Sequence, residues 1–136
     1  MTGSTPLPRT LVNQMLRHAQ SSPRAEVCGL VAARDGTPVR YLPIDNVADA
    51  PERLFRMDAA QQIDALRALR EAGESLFAIF HSHPGAPARP SERDLREAGY
   101  PQALYLIASL NTRGVLEMRA YRLRDGQALE VPLEIY

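Results

Sequence analysis

The sequence predicts a mixed α+β fold. Three observations predict it: apolar residues recur at helical spacing in two stretches, short apolar runs of strand length lie between and after them, and an Asp-Gly turn signal joins two further runs near the C-terminal end. After a polar Met1–Thr5 lead, Leu11, Val12, Met15, Leu16 and Ala19 repeat at helical spacing, and Pro8 suits an early helical position. Pro23 breaks the pattern within Ser21–Ala25, and Glu26–Ala33 (EVCGLVAA) follows as a buried strand that Glu26 opens. Val39–Ile44 is a second strand, and Leu54–Met57 a short third one after an irregular stretch through Pro51.

Asp58 is a good N-cap for a second helix in which Ala59, Ile63, Leu66 and Leu69 share a face, and Gly73 is placed to end it. Leu76–Phe80 (LFAIF) is an apolar strand that runs straight into His81-Ser82-His83-Pro84. Ser91–Ala98 predicts a short helix and Ala103–Leu110 another buried strand. Val115–Leu123 and Ala128–Ile135 predict a hairpin turning at Asp125-Gly126.

Composition narrows the function classes. The 136 residues suit one domain spanning 1–136, and 45% hydrophobic content is enough for one core. Basic and acidic residues both number 16, so no global field draws in nucleic acid or an anionic membrane. Every basic residue is Arg, which removes lysine-base and Schiff-base chemistry. A lone Cys28 excludes an intramolecular disulfide framework, and no apolar run is long enough to span a bilayer, so a soluble cytoplasmic protein is the expectation. A homodimer is left open.

The chemistry sits around the two histidines. Side chains alternate along a strand, so His81 and His83 project to one side and Ser82 to the other. Each neutral imidazole can offer a nitrogen at about 2.0–2.1 Å to zinc, and a third protein ligand would leave one position open for catalysis. The constrained loop Gly85–Pro90 returns the chain to Ser91-Glu92-Arg93-Asp94, where residues three apart share a face. Asp94 is the natural third ligand, and Ser91 would stand beside the open position. Each piece also has a plain structural reading: a surface or core histidine pair, a Ser-x-x-Asp capping box, a solvated Glu26. The combination shifts the balance.

That combination resembles the JAMM, or MPN-plus, metalloprotease family, whose pattern is an upstream Glu, then H-[ST]-H, seven residues and S-x-x-D. The chain supplies Glu26, then His81-Ser82-His83, residues Pro84–Pro90, and Ser91 to Asp94. The resemblance implies a cytidine-deaminase-like fold with a curved, mostly antiparallel sheet flanked by helices. It implies one Zn2+ per chain on His81, His83 and Asp94, with Glu26 as general base and Ser91 stabilising the oxyanion. Among members it looks most like stand-alone prokaryotic forms, which implies peptide or isopeptide cleavage after the Gly-Gly end of a ubiquitin-like or sulfur-carrier protein. A non-catalytic MPN scaffold is the alternative, and a RadC-like DNA-associated role is weaker because no basic stripe is present.

Three other features carry no assigned function. Cys28, two residues beyond Glu26, is expected to be a small buried thiol. His18, near the end of the first helix, is expected to complement charge or face solvent. Arg89, Arg93 and Arg96 cluster near the proposed site, where they are in reach of a substrate carboxylate or simply solvated.

Overall fold

The structure is a computed structural model that describes residues 3–111 and 116–136. Its elements run β1 (Thr5–Leu7), α1 (Arg9–Gln20), β2 (Cys28–Arg34), β3 (Thr37–Ile44), α2 (Ala59–Glu71), β4 (Ser75–His83), α3 (Glu92–Glu97), β5 (Leu104–Ser109), β6 (Glu117–Arg124), β7 (Gln127–Val131) and β8 (Leu133–Ile135). Six strands form one sheet in the order β3-β2-β4-β5-β6-β7, antiparallel at every join except the parallel β4–β5 pair. β1 and β8 form a separate parallel pair. The expected α+β class with a mostly antiparallel sheet is what the chain adopts.

Alternation along the strands sorts side chains into two layers. On one side Phe80 of β4 and Leu104 and Leu106 of β5 pack with Leu11, Val12 and Met15 of α1. On the other, Ile79, Tyr105 and Ile107 pack with Met57 and Ala65, the latter from α2. His81 and His83 share the parity of Ile79 and so fall on the α2 side. Burying these layers removes most of the apolar surface of the central strands from water, at about 25 cal/mol per Å².

Three places demand bare or left-handed backbone. A Cβ on Gly29 would lie 2.5 Å from the Tyr41 ring and 2.6 Å from the Leu42 carbonyl oxygen. Asp125 and Gly126, at φ 53° and 71°, make the expected two-residue hairpin turn between β6 and β7. Asp35 and Gly36, at φ 50° and 81°, make a second such turn between β2 and β3 that was not expected.

Several expectations need correction. Glu26 does not open β2: the strand begins at Cys28, because the Glu26 N–H donates to the Pro51 carbonyl (2.6 Å) rather than to a neighbouring strand. Leu54–Met57 is no strand but a single bridge, Asn46 to Met57. The Asn46 side chain serves its backbone instead, accepting from the Arg56 N–H (3.0 Å) and donating to the Leu54 carbonyl (3.0 Å). Ala59 and Ile63 of α2 are exposed, since only the second half of the helix lies on the sheet, through Ala65 and Leu69. Pro8 is the N-cap of α1 rather than a helical residue, and Thr5–Leu7 is a strand where a polar lead was expected. The run Ala128–Ile135 divides at Pro132, which has no N–H for the ladder, and Leu133–Ile135 pairs with β1. Val115, the expected start of β6, lies outside the described residues. Among the described residues no helix is long and apolar enough to cross a membrane.

Candidate metal centre

β4 ends inside the molecule, and its last residues are the histidine pair, 1% and 3% exposed. Their Nε2 atoms face each other at 3.1 Å. α3 brings up Asp94, whose Oδ2 lies 3.2 Å from each of those nitrogens. The helix is set by Ser91, its N-cap: Ser91 Oγ accepts from the Asp94 N–H (3.0 Å) while Asp94 Oδ2 accepts from the Ser91 N–H (2.9 Å). The cap therefore aims Asp94 at the histidines, and one carboxylate oxygen serves both. Ser91 itself is exposed.

Glu26 approaches from the segment before β2. It offers a carboxylate oxygen within 4.8 Å of a ring nitrogen of each histidine, and it is only 5% exposed. Its Oε1 is buried and accepts no hydrogen bond from the protein. An unpaired buried carboxylate is costly as an anion, and burial pushes the Glu26 carboxyl up to about 8, against a lowering by His83 and with a smaller push from Asp94.

The rest of the cluster is polarised. Burial alone would raise Asp94, but hydrogen bonds from both histidines outweigh it and hold Asp94 well below the usual carboxylate range. His81, fully enclosed, is lowered mainly by burial. Burial would lower His83 too, but its bonds to Asp94 and to the Pro87 carbonyl carry it upward. The two directions differ because His81 is the more deeply buried and its Nδ1 meets no partner, whereas His83 is less enclosed and gains the Pro87 carbonyl and the nearby Glu26. His83 Nδ1 donates to the Pro87 carbonyl (2.8 Å), so the ring donates to Asp94 through Nε2–H only when protonated, and in the neutral ring the same bond puts the lone pair on Nε2, the nitrogen a metal would take.

Donor spacing tests whether a cation fits. Ligands about 2.0–2.1 Å from a tetrahedral centre stand about 3.3 Å apart. The three atoms here are separated by 3.1, 3.2 and 3.2 Å. Two imidazole nitrogens and a carboxylate oxygen at that spacing match the donor set and size of a zinc site, and Glu26 lies within 4.8 Å of the same histidine nitrogens.

Residues 8–124 match the family described as prokaryotic homologs of the JAB domain. The chain belongs to the prokaryotic JAB family. The CysO-cysteine peptidase of Mycobacterium tuberculosis strain H37Rv is 35% identical over 127 residues, covering 92% of this chain and 86% of the relative. A probable TtuB-protein conjugate cleaving protease of Thermus thermophilus is 38% identical over 121 residues, 89% of this chain and 77% of the relative. The solution structure of protein DSY2949 from Desulfitobacterium hafniense superposes with a TM-score of 0.85 at 32% identity, over 96% of this chain and 92% of that one.

Within this JAB chain, several residues matter to which the sequence reading gave no role. Ser82, between the ligating candidates, is completely buried and points to the opposite side, where its Oγ accepts the Val27 N–H (2.9 Å) and its own N–H donates to the Val27 carbonyl (3.0 Å). It latches the segment carrying Glu26 onto β4. Asn46 Nδ2 donates to the Glu26 carbonyl (2.9 Å), bracing the same segment from the other side. Phe55 stacks on the His81 ring, with centroids 4.5 Å apart. The loop that presents the Pro87 carbonyl is tied down by the Ser109 hydroxyl donating to Ala86 (2.7 Å) and the Tyr121 hydroxyl donating to Ala88 (2.7 Å). Ser82 was findable, since a hydroxyl on a buried strand must find a partner. Phe55 and Tyr121 depend on tertiary placement.

The unassigned residues resolve unevenly. Cys28 is buried beside His81 in the β2–β4 register, its S–H donates to the Ile44 carbonyl (3.3 Å), and burial pushes the thiol up to about 12. His18 sits in the last turn of α1, where its Nδ1 bonds the Tyr41 hydroxyl (2.7 Å) and burial lowers its pKa against an opposing pull from Asp45. Arg93 lines a cavity together with His81 and Asp94.

Proposed function

We propose that this chain is a zinc-dependent peptidase that cleaves after the Gly-Gly end of a small ubiquitin-like or sulfur-carrier protein. The observation that carries the reading is the triangle of His81 Nε2, His83 Nε2 and Asp94 Oδ2 at zinc-ligand spacing, with the unpaired Glu26 carboxylate beside it. One zinc ion per chain, held by those three atoms, would supply Lewis acidity that acidifies water and polarises a carbonyl. Glu26 accepts a proton from the attacking water and delivers it to the departing amine. A cation beside Glu26 favours its ionised form, bringing its pKa down from about 8 into the range of a base at neutral pH. Ser91, beside Asp94, donates a hydrogen bond from its hydroxyl to the oxyanion.

Relatives named as a CysO-cysteine peptidase and a conjugate cleaving protease support a protein-terminal substrate. Glycines before the scissile bond let an extended backbone come close to a centre this deeply placed. On this reading the chain acts as one catalytic domain in the cytoplasm, without a nucleic-acid or membrane partner, in keeping with its balance of 16 basic and 16 acidic residues.

The test uses zinc-loaded protein and a sulfur carrier extended beyond Gly-Gly, beside a variant with the last glycine changed to valine, followed by intact mass. The first should lose its extension and the second should not. Equal cutting of both overturns the glycine requirement, and cutting of neither overturns the substrate class.

A further inference from the structure

The loop from Pro84 to Pro90 leaves the end of β4 and returns the chain to α3, so its shape decides how His83 and Asp94 stand to each other. Pro84, Pro87 and Pro90 have no N–H, which leaves the loop few donors with which to close turns of its own. Its carbonyls are served instead by a row of side chains. Asn111 Nδ2 donates to the Gly85 carbonyl (3.2 Å), the Ser109 hydroxyl to Ala86 (2.7 Å) and the Tyr121 hydroxyl to Ala88 (2.7 Å). Between the last two, the Pro87 carbonyl accepts from the His83 ring (2.8 Å) and from the Arg89 N–H (2.8 Å). The Pro87–Ala88 peptide is thus clamped between two anchored neighbours. Ser109 lies opposite His83 in the β4–β5 register and accepts the Asn111 N–H (3.1 Å), which turns its own proton toward Ala86. Tyr121 and Ala88 are both buried, so the Ala88 carbonyl has no water to take the place of the Tyr121 hydroxyl.

His81 is held by other means. Its Nδ1 is buried without a hydrogen-bond partner among the described residues, and the Phe55 ring stacked on it fixes it by contact. Only His83 takes its orientation from a backbone carbonyl, and that carbonyl is set from β5 and β6. We propose that Tyr121, together with Ser109, is a positioning residue for metal binding: its hydroxyl fixes the Pro87 carbonyl, the carbonyl keeps the neutral His83 ring in its Nδ1–H form, and Nε2 is presented as a lone pair. Without that hydroxyl the Ala88 carbonyl has to turn to find a donor, and the Pro87 peptide turns with it. A share of the neutral His83 rings then carries its proton on Nε2, and apparent metal affinity falls by the fraction that stays competent. Partners that orient a metal ligand control about 10–100-fold of metal affinity, and Tyr121, acting one peptide further out, is assigned about tenfold. The proposal rests on the zinc reading of His83, but the positioning is a property of the metal-free chain.

Tyr121→Phe keeps the ring in the sheet and removes only the hydroxyl. In the metal-free protein, with the ring neutral, nitrogen NMR of labelled histidines should show His83 as the Nδ1–H form in wild type and as a mixture of both forms in the variant, with His81 unchanged. The zinc dissociation constant, read by competition with a chromophoric chelator, should rise about tenfold. Ser109→Ala, which frees the neighbouring carbonyl, should move both readouts the same way. Tyr41→Phe is the control: it removes an equally short hydroxyl bond (2.7 Å, to His18) on the other side of the sheet, and should leave the His83 form and the zinc affinity as they are. A His83 ring that stays in the Nδ1–H form in Tyr121→Phe overturns the proposal. So does a wild type that binds zinc no more tightly than Tyr121→Phe, or a Tyr41→Phe variant that weakens binding as much. If wild type binds no zinc while Tyr121→Phe still mixes the two His83 forms, the positioning stands and the zinc reading falls.

Discussion

Glu26 is held in the fold by its surroundings rather than by a partner, and this has a consequence for stability in the absence of metal. Burial raises its pKa from 4.5 to about 8, so in that window the folded chain binds a proton that the unfolded chain releases. Its contribution is therefore complete below pH 4.5 and is lost as pH rises through about 8. Chelator-treated wild type should lose stability relative to Glu26→Gln as pH is raised across that window, measured by denaturant midpoint; parallel curves would mean Glu26 titrates normally. The same variant, loaded with zinc, should keep its fold and metal but lose turnover by at least about 10²-fold, because the isosteric amide accepts no proton. Full activity in Glu26→Gln would contradict the role given to it. At this scale the sequence was informative about residue types and silent about burial. That Glu26 is enclosed and unpaired follows from Ser82 and Asn46 pinning its segment, which no spacing rule displays.

The elements position the site through a few buried joints. Ser82→Ala would leave the Val27 N–H without its side-chain acceptor inside the sheet, at a cost of about 1–3 kcal/mol. It should lower kcat more than KM by loosening Glu26 while leaving zinc content unchanged, whereas unchanged kcat would reduce Ser82 to a structural hydroxyl. Gly29→Ala should destabilise by about 1–3 kcal/mol, since the new methyl meets both Tyr41 and the Leu42 backbone, checked by equilibrium unfolding. Strongly periodic or capped elements were legible: α1, the Asp58 cap of α2, the β6–β7 turn and the strand entering His81. Elements decided by long-range pairing were not. β1 and β8 are three-residue strands that exist because they pair with each other across the length of the chain. Leu54–Met57 has strand-like composition, yet Asn46 satisfies its backbone and no ladder forms.

Over the whole molecule, the fold brings together four groups from three separate segments of the chain. β2 and β4 are antiparallel neighbours, which sets the Glu26 segment beside the end of β4, and the loop after His83 is tied to β5 and β6 so that α3 returns Asp94 to the same point. The motif pattern foretold which residues would meet. It did not foretell that one oxygen of Asp94 would stand equidistant from both histidines, or that an arginine-rimmed cavity would open beside them. The central claim is that this convergence is a zinc site, and native mass spectrometry of gently purified protein tests it most directly. Wild type should carry one zinc per chain, and both His83→Ala and Asp94→Ala should lose it while remaining folded. Wild type that carries no zinc and cannot be reloaded would contradict the account, as would Asp94→Ala that retains full zinc and so reduces Asp94 to a helix cap.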